Sequence, residues 1–221
     1  MADKKSDIIV AVVAGHGKQV QGKWSPKIEK GMDIPSFLTE GGRFREWKYA
    51  RVVADDIVTI LKSYGYDARL IVPEDDDVTL GERVRRVNAL CTKYGAGKVL
   101  MLEIHANAVG YGDKWESANG WECYTTVGKT KSDTLAEYLY KRAEKNFPKD
   151  IKIRKDITDG DCDKEMNFYV IRKVNCPAIL SENFFYTNKK DLEYMSSDAG
   201  IHAVVRTHVE GTIDYINSLK K

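Results

Sequence analysis

The stretch KVLMLEIH, residues 98–105, decides the fold. It is a near-continuous apolar run of strand length that ends on a histidine. Such a run belongs to a strand buried on both faces, at the centre of a parallel sheet. Parallel neighbours need helical crossovers between them, and the sequence supplies the parts in both directions.

Upstream, residues 8–13 read as a first strand. From Glu46 the apolar positions Ala50, Val53, Ala54, Ile57, Ile60 and Leu61 recur at helical spacing, and Gly65 ends that helix. A strand is expected at 67–72, and a helix at 79–94 with Leu80, Val84, Val87 and Leu90 on one face. Downstream, 120–126 reads as a strand, 132–147 as a helix capped by Ser132, 168–171 and 178–182 as short strands, and about 199–219 as a closing helix. Residues 24–45 are polar and rich in Gly, Pro and aromatics, so they read as a long ordered loop. A loop of that length in a compact domain is usually functional, and Trp24, Phe37 and Phe44 either offer it aromatic surface for a substrate or only anchor it to the core. No repeat or linker composition divides the chain. The expected fold is α/β: a single domain over residues 1–221, with a mostly parallel twisted sheet and helices on both faces.

Composition narrows the function. The 221 residues are 43% hydrophobic and 31% charged, as in an ordinary soluble globular protein. Lys and Arg number 35 against 33 Asp and Glu, so the net charge of +2 gives no electrostatic reason to expect a nucleic-acid partner or an anionic membrane. The N-terminal MADKKSD is charged, and the apolar run after it is too short for a signal peptide or a membrane span. Synthesis in the cytoplasm without membrane insertion is the expectation. Cys91, Cys123, Cys162 and Cys176 stand apart with no C-x-x-C spacing, which excludes a zinc knuckle and a thioredoxin-like pair. They read as isolated buried thiols.

The chemistry gathers at strand ends. His16 follows the first strand in VVAGHG, and the loop after it runs Gly17 to Gly22-Lys23 in the G-x-x-x-x-G-K frame of a phosphate loop. Trp24 then stands where that loop needs a hydroxyl for Mg²⁺. A metal reading asks for further ligands. His105 leaves its strand as His16 does, Glu46 opens the first long helix, and Glu182 ends PAILSE. Open α/β sheets place their sites beyond the carboxyl ends of the strands. Two imidazoles and a carboxylate, with water in the fourth position, are a catalytic zinc set, and a free carboxylate beside them is the usual general base. A histidine after a strand is also commonly a satisfied structural residue, so spacing alone leaves both readings open.

The segments VVAGHG, EWKYARVVADDIVTILKSYGYDARL, DDDVTLGERVRRVNAL, LEIHANA and YVIRKVNCPAILSENFFYTNKKDLEYM resemble, in order and spacing, the zinc-dependent N-acetylmuramoyl-L-alanine amidases of the type-3 class. The resemblance covers nearly the whole chain. It implies that His16, Glu46 and His105 bind Zn²⁺, that Glu182 is the catalytic carboxylate, and that the reaction is hydrolysis of the amide between N-acetylmuramic acid and L-alanine in peptidoglycan. Peptidoglycan or a muropeptide is then the substrate partner, and the protein is expected to act as a monomer on the cell wall after phage-type release. Glu40 competes for the second ligand position, but it lies in the Gly41-Gly42 loop whereas Glu46 opens the helix, as the family's glutamate does.

The sequence also departs from that family. GHG is followed by Lys18 and the 24–45 insertion, where the family usually continues with glycine, aspartate and glycine. Glu103 stands two residues before His105 in place of a small residue, either orienting the imidazole or ion-paired elsewhere. The acidic run DITDGDCDKE, 156–165, alternates carboxylates as a calcium loop does, yet Lys164 stands where an EF-hand needs glycine. It reads as a solvated loop near the cleft. Arg172 and Lys173 are candidates to meet stem-peptide carboxylates. Two rival functions remain in view: a zinc peptidase or carboxypeptidase cutting another peptide bond, and a peptidoglycan-binding module without catalysis, for which Glu182 would have no use.

Overall fold

The computed structural model describes residues 6–220. The first five residues of the charged N-terminal stretch, on which part of the leader reading rests, and residue 221 lie outside the described residues. Strand β1 (Ile9–Ala14) opens the fold. A hairpin of β2 (Thr39–Glu40) and β3 (Arg43–Phe44) leads into α1 (Glu46–Ser63), followed by β4 (Asp67–Leu70), α2 (Leu80–Tyr94) and β5 (Val99–Asn107). The second half runs β6 (Glu122–Thr125), α3 (Lys131–Asn146), β7 (Lys164–Glu165), α4 (Tyr169–Lys173), β8 (Ala178–Phe185), α5 (Lys189–Ser196) and α6 (Asp198–Ser218).

KVLMLEIH becomes β5, hydrogen-bonded to β1 on one side and β8 on the other, in a six-stranded sheet of order β4-β1-β5-β8-β6-β7. The first four of these are mutually parallel, and β6 joins β8 antiparallel. The mostly parallel α/β domain expected from the sequence is therefore the fold observed. Among the described residues no helix is long and apolar enough to cross a membrane.

Because strand side chains alternate in direction, each strand feeds two cores. Val10, Val12, Leu100, Leu102, Ile104 and Ile179 face a large cluster shared with α1, α3, α5 and α6. Ile9, Ala11, Val13, Val99, Met101, Ala178 and Leu180 face a smaller one built with α2 and α4. Full burial of each Val or Leu contributes about 1.5–3 kcal/mol, so the thicker side supplies most of the apolar stabilisation. The thinner side leaves room for a cleft.

Four local readings need correction. Residues 168–171 form no strand: Phe168 precedes the short helix α4, whose adjacent Val170 and Ile171 are both buried. Two neighbouring buried side chains fit one helical face, whereas a strand would send them to opposite sides. Helix α3 is capped by Thr130, in a reciprocal capping box with Asp133, and the Ser132 hydroxyl instead accepts the Ala178 N–H. Helix α5, absent from the sequence reading, starts at Asn188, whose side chain accepts the Asp191 N–H at 3.2 Å. The 24–45 segment is no plain loop, since it contains the β2–β3 hairpin. Gly41 and Gly42 turn it at φ 58° and 68°, which the primed two-residue turn requires.

Candidate metal centre

The two histidines reach their places by different constraints. After β1, Gly15 N–H donates to the Ile104 carbonyl at 2.9 Å and so prolongs the β1–β5 ladder by one rung. A Cβ on Gly15 would lie 2.5 Å from the His105 ring, and one on Gly17 would lie 2.1 Å from the Asp77 backbone. Between them His16 takes the left-handed conformation, φ 55°, which turns its ring toward His105. The rings meet edge to face with centroids 4.8 Å apart. Arg51, on α1, holds this bend by donating to the His16 carbonyl at 3.0 Å.

Glu46 is the first residue of α1, and its carboxylate is 1% exposed. Oε1 lies 3.0 Å from His105 Nδ1 and 3.5 Å from His16 Nε2, and it accepts the Ala106 N–H at 3.2 Å. Oε2 has no hydrogen-bond partner, although Lys23 Nζ stands 3.8 Å away. Burial acts to raise the Glu46 carboxyl, but both imidazoles and Lys23 outweigh it and hold it down at about 2. Burial lowers His16 to about 3. Burial also works against the His105 cation, yet Glu103 and Glu46 overcome it and raise that imidazole to about 10. Ligand atoms of His16, Glu46 and His105 all lie within 4.8 Å of one another, and among the described residues they are the one group of three or more able to hold a metal ion.

Glu103 touches both His105 and Arg83. Its Oε1 sits 3.3 Å from His105 Nε2, which leaves Nδ1 facing Glu46, and 3.3 Å from Arg83 Nη1. Arg83 is itself buried, donating to the Val78 carbonyl at 2.8 Å and the Ala14 carbonyl at 2.6 Å. A buried guanidinium thus anchors the carboxylate that sits against the His105 ring, an arrangement of the kind that metal-binding histidines commonly have.

Glu182 arrives by strand register. Its Cα pairs with His105 on β5 and with Glu122 on β6. The half-buried carboxyl keeps Oε2 without a partner, and burial raises it to about 8. Asn183 braces this strand end: its amide donates to the His105 carbonyl at 2.8 Å, and its oxygen accepts from Trp121 Nε1 at 2.9 Å. A cleft of about 390 Å³ opens over the group. Lys23, Glu103, His105 and Glu182 line it together with the apolar Leu80 and Phe168.

Other sequence candidates fall elsewhere. Glu40 is exposed and pairs with Arg45 at 3.1 Å. Phe44 is core, stacked near Tyr49 and Tyr186; Phe37 is 53% exposed; Trp24 lies under the Arg45 guanidinium and lines a separate shallow groove. Arg172 borders a groove of about 540 Å³ with Ser132 and Pro177, away from the histidines, and Lys173 is exposed. The acidic run is only partly solvated. Asp163 is buried, accepts from the Thr125 hydroxyl at 2.6 Å and is raised to about 7 chiefly by burial, while Lys164 pairs with Glu122 at 2.7 Å. The four cysteines are free, with Cys91 and Cys123 buried and Cys162 and Cys176 half-buried. Sequence reasoning passed over Arg83 and Asn183, whose partners lie across the fold. It met Lys23 only as part of the phosphate-loop frame.

The N-acetylmuramoyl-L-alanine amidase family model matches residues 10–214. The chain is similar to the endolysin of Bacillus phage SPP1, 28% identical over 165 residues, which cover 71% of this chain and 53% of that protein. It is also similar to the N-acetylmuramoyl-L-alanine amidase CwlM of Bacillus licheniformis, 29% identical over 151 residues, 66% of this chain and 49% of that protein. The chain thus spans about half the length of these curated relatives. Its fold matches that of the N-acetylmuramoyl-L-alanine amidase AmiC2 of Nostoc punctiforme with a TM-score of 0.71, at 24% identity, over 96% of this chain and 98% of the other. The chain belongs to the N-acetylmuramoyl-L-alanine amidase family.

Proposed function

We propose that this family member hydrolyses the amide joining N-acetylmuramic acid to the first L-alanine of peptidoglycan, as one catalytic domain over residues 1–221 and with zinc as its metal. The observation that carries this reading is the convergence of His16 Nε2, Glu46 Oε1 and His105 Nδ1 beside Glu182, whose Oε2 has no partner. The donor set fits zinc, since imidazole and carboxylate suit it better than they suit magnesium or calcium. A buried, unpartnered carboxylate oxygen on Glu46 is also an atom that a cation would satisfy. Zinc, when bound, would polarise the scissile carbonyl and acidify a water.

The remaining work falls to the chain's own groups. Glu182, which lines the cleft with its Oε2 free of any partner, takes the proton of the attacking water and gives it to the departing alanine nitrogen as the C–N bond breaks. Glu103 and Arg83 fix the His105 ring, and Leu80 and Phe168 wall the cleft against bulk water. The protein acts as a monomer, is made in the cytoplasm and reaches the cell wall by phage-type release; the similarity to a phage endolysin supports that route.

The test measures metal content and products together. About one zinc per chain is expected, with free N-terminal L-alanine released from muropeptides and no D-amino acid. Release of D-amino acids, or cleavage between stem-peptide residues, would make it a peptidase. Active protein without a transition metal would remove zinc from the reading.

A further inference from the structure

Lys23 belongs to the phosphate-loop frame that the site does not use, yet it stands inside the cleft. Its backbone is locked: the Lys23 carbonyl accepts the Glu46 N–H at 3.2 Å, Trp24 bridges to Arg45, and Ser25 N–H donates to the Phe44 carbonyl at 3.1 Å. The side chain is 37% exposed and lines the cleft with His16, His105 and Glu182. Its nearest anion, Glu46 Oε2, is 3.8 Å away, beyond hydrogen-bond distance, and among the described residues its ammonium makes no hydrogen bond. Arg83, the other cation lining the cleft, is spent on Glu103, Asp77 and two carbonyls. A cation held on fixed backbone, with free donors over a reacting centre, is suited to receive charge that appears only during reaction.

We propose that Lys23 is a catalytic residue that donates from Nζ to the oxygen of the scissile carbonyl as it becomes an oxyanion. The inference rests on the amidase reading of the same site. Water oxygen bonds to the carbonyl carbon, a water proton passes to Glu182, and the carbonyl π pair moves to its oxygen, where Lys23 meets it. Collapse restores the carbonyl, breaks the C–N bond and returns the proton to nitrogen. Glu46 places Lys23 through its N–H and, at 3.8 Å, biases the ammonium toward the metal side of the cleft.

The experiment compares the zinc-loaded parent with Lys23→Met and Lys23→Arg on a muramoyl-L-alanine peptide. Lys23→Met should lower kcat by about 10²- to 10³-fold with KM nearly unchanged, and Lys23→Arg should recover part of the loss. Zinc content and melting temperature should match the parent. In calorimetry, a muramoyl peptide phosphinate, with an anionic tetrahedral phosphorus in place of the carbonyl carbon, should bind Lys23→Met about 10²-fold more weakly. The uncleaved amide should bind Glu182→Gln equally well with or without Lys23→Met. A kcat and phosphinate affinity within about twofold of the parent would overturn the proposal. So would a loss confined to KM, which would make Lys23 a substrate anchor, or a loss of zinc, which would make it only the counter-charge of Glu46. A parent that cleaves no muramoyl–alanine bond would overturn the amidase reading with it, whereas an active parent matched by Lys23→Met would overturn this inference alone.

Discussion

Ser181 and Glu182 are neighbours on β8, and they look into opposite halves of the molecule. Toward α6, the Ser181 hydroxyl meets His208 Nε2 at 2.8 Å, and His208 Nδ1 meets the Val204 carbonyl at 2.8 Å. That imidazole is fully buried, and burial lowers it to about 4, so it is neutral. Toward the cleft, Glu182 and His105 stand with Glu46 and Glu103, and each of the three carboxylates keeps an oxygen without a partner. One buried histidine is thus satisfied by neutral groups and stabilises the packing of a helix on a sheet. The other sits among anions that a fold would not gather for its own stability, since buried charge costs several kcal/mol per ion unless it is compensated. Burial of a histidine therefore says little about function, and the unsatisfied charge around it says a great deal.

The sharpest way to break this contrast is to remove the two cleft carboxylates in turn. Glu182→Gln keeps size and polarity but cannot take a proton, so turnover should fall by about 10²- to 10⁴-fold while zinc stays bound. Glu46→Gln should lose the metal, because it removes the one anionic ligand. Zinc occupancy and wall-lysis rate on the two variants decide the matter. If Glu182→Gln loses zinc and Glu46→Gln stays loaded and active, the two roles are exchanged.

The structural side of the contrast is tested by pH. A histidine lowered to about 4 in the folded state takes up its proton more readily when unfolded, near 6.5. Its contribution is therefore complete above pH 6.5 and lost as pH falls toward 4, up to about 3 kcal/mol. Denaturant unfolding of the parent and of His208→Gln across pH 4–7 should converge toward the acid end, with muralytic turnover per folded molecule unchanged by the substitution. Parallel curves would show that His208 takes up its proton as readily folded as unfolded and would weaken the comparison.

The smallest effect concerns the support of His105. Glu103→Gln keeps an acceptor for Nε2 but removes the charge held by Arg83, and zinc affinity should fall by about 10- to 100-fold in chelator competition. Unchanged affinity would assign Glu103 to its pair with Arg83 alone. A loss of stability without a loss of affinity would give the same answer.

Much of this architecture was legible. Helix α1 and strands β1 and β5 were readable because their apolar residues repeat over many positions, and periodicity is a local signal. The place of His16 just after β1 and the helix start at Glu46 were readable for the same reason, but β5 runs on to Asn107 and β8 to Phe185, so His105 and Glu182 lie within their strands and do not end them. Short elements were not readable. The Val170-Ile171 pair of α4 is β-branched and apolar in any conformation, and its helical form comes from packing against α2 and β8. Phe44 was open to either a surface or a core reading because it sits in a polar segment, and the β2–β3 hairpin decides for the core by packing it near Tyr186.

The sequence by itself determined the alternation of strands and helices, the parallel centre of the sheet, and the glycines on either side of His16, whose missing Cβ atoms admit the His105 ring and the Asp77 backbone. Those features follow from residue volume and from a period of a few positions. Only the tertiary structure decided that Glu182 stands beside His105, that Arg83 reaches Glu103 from α2, and that Lys23 points into the cleft. Each of these depends on register between strands or on helices packed from distant parts of the chain. A shift of one residue in that register would send Glu182 to the face of His208 and leave the cleft without it.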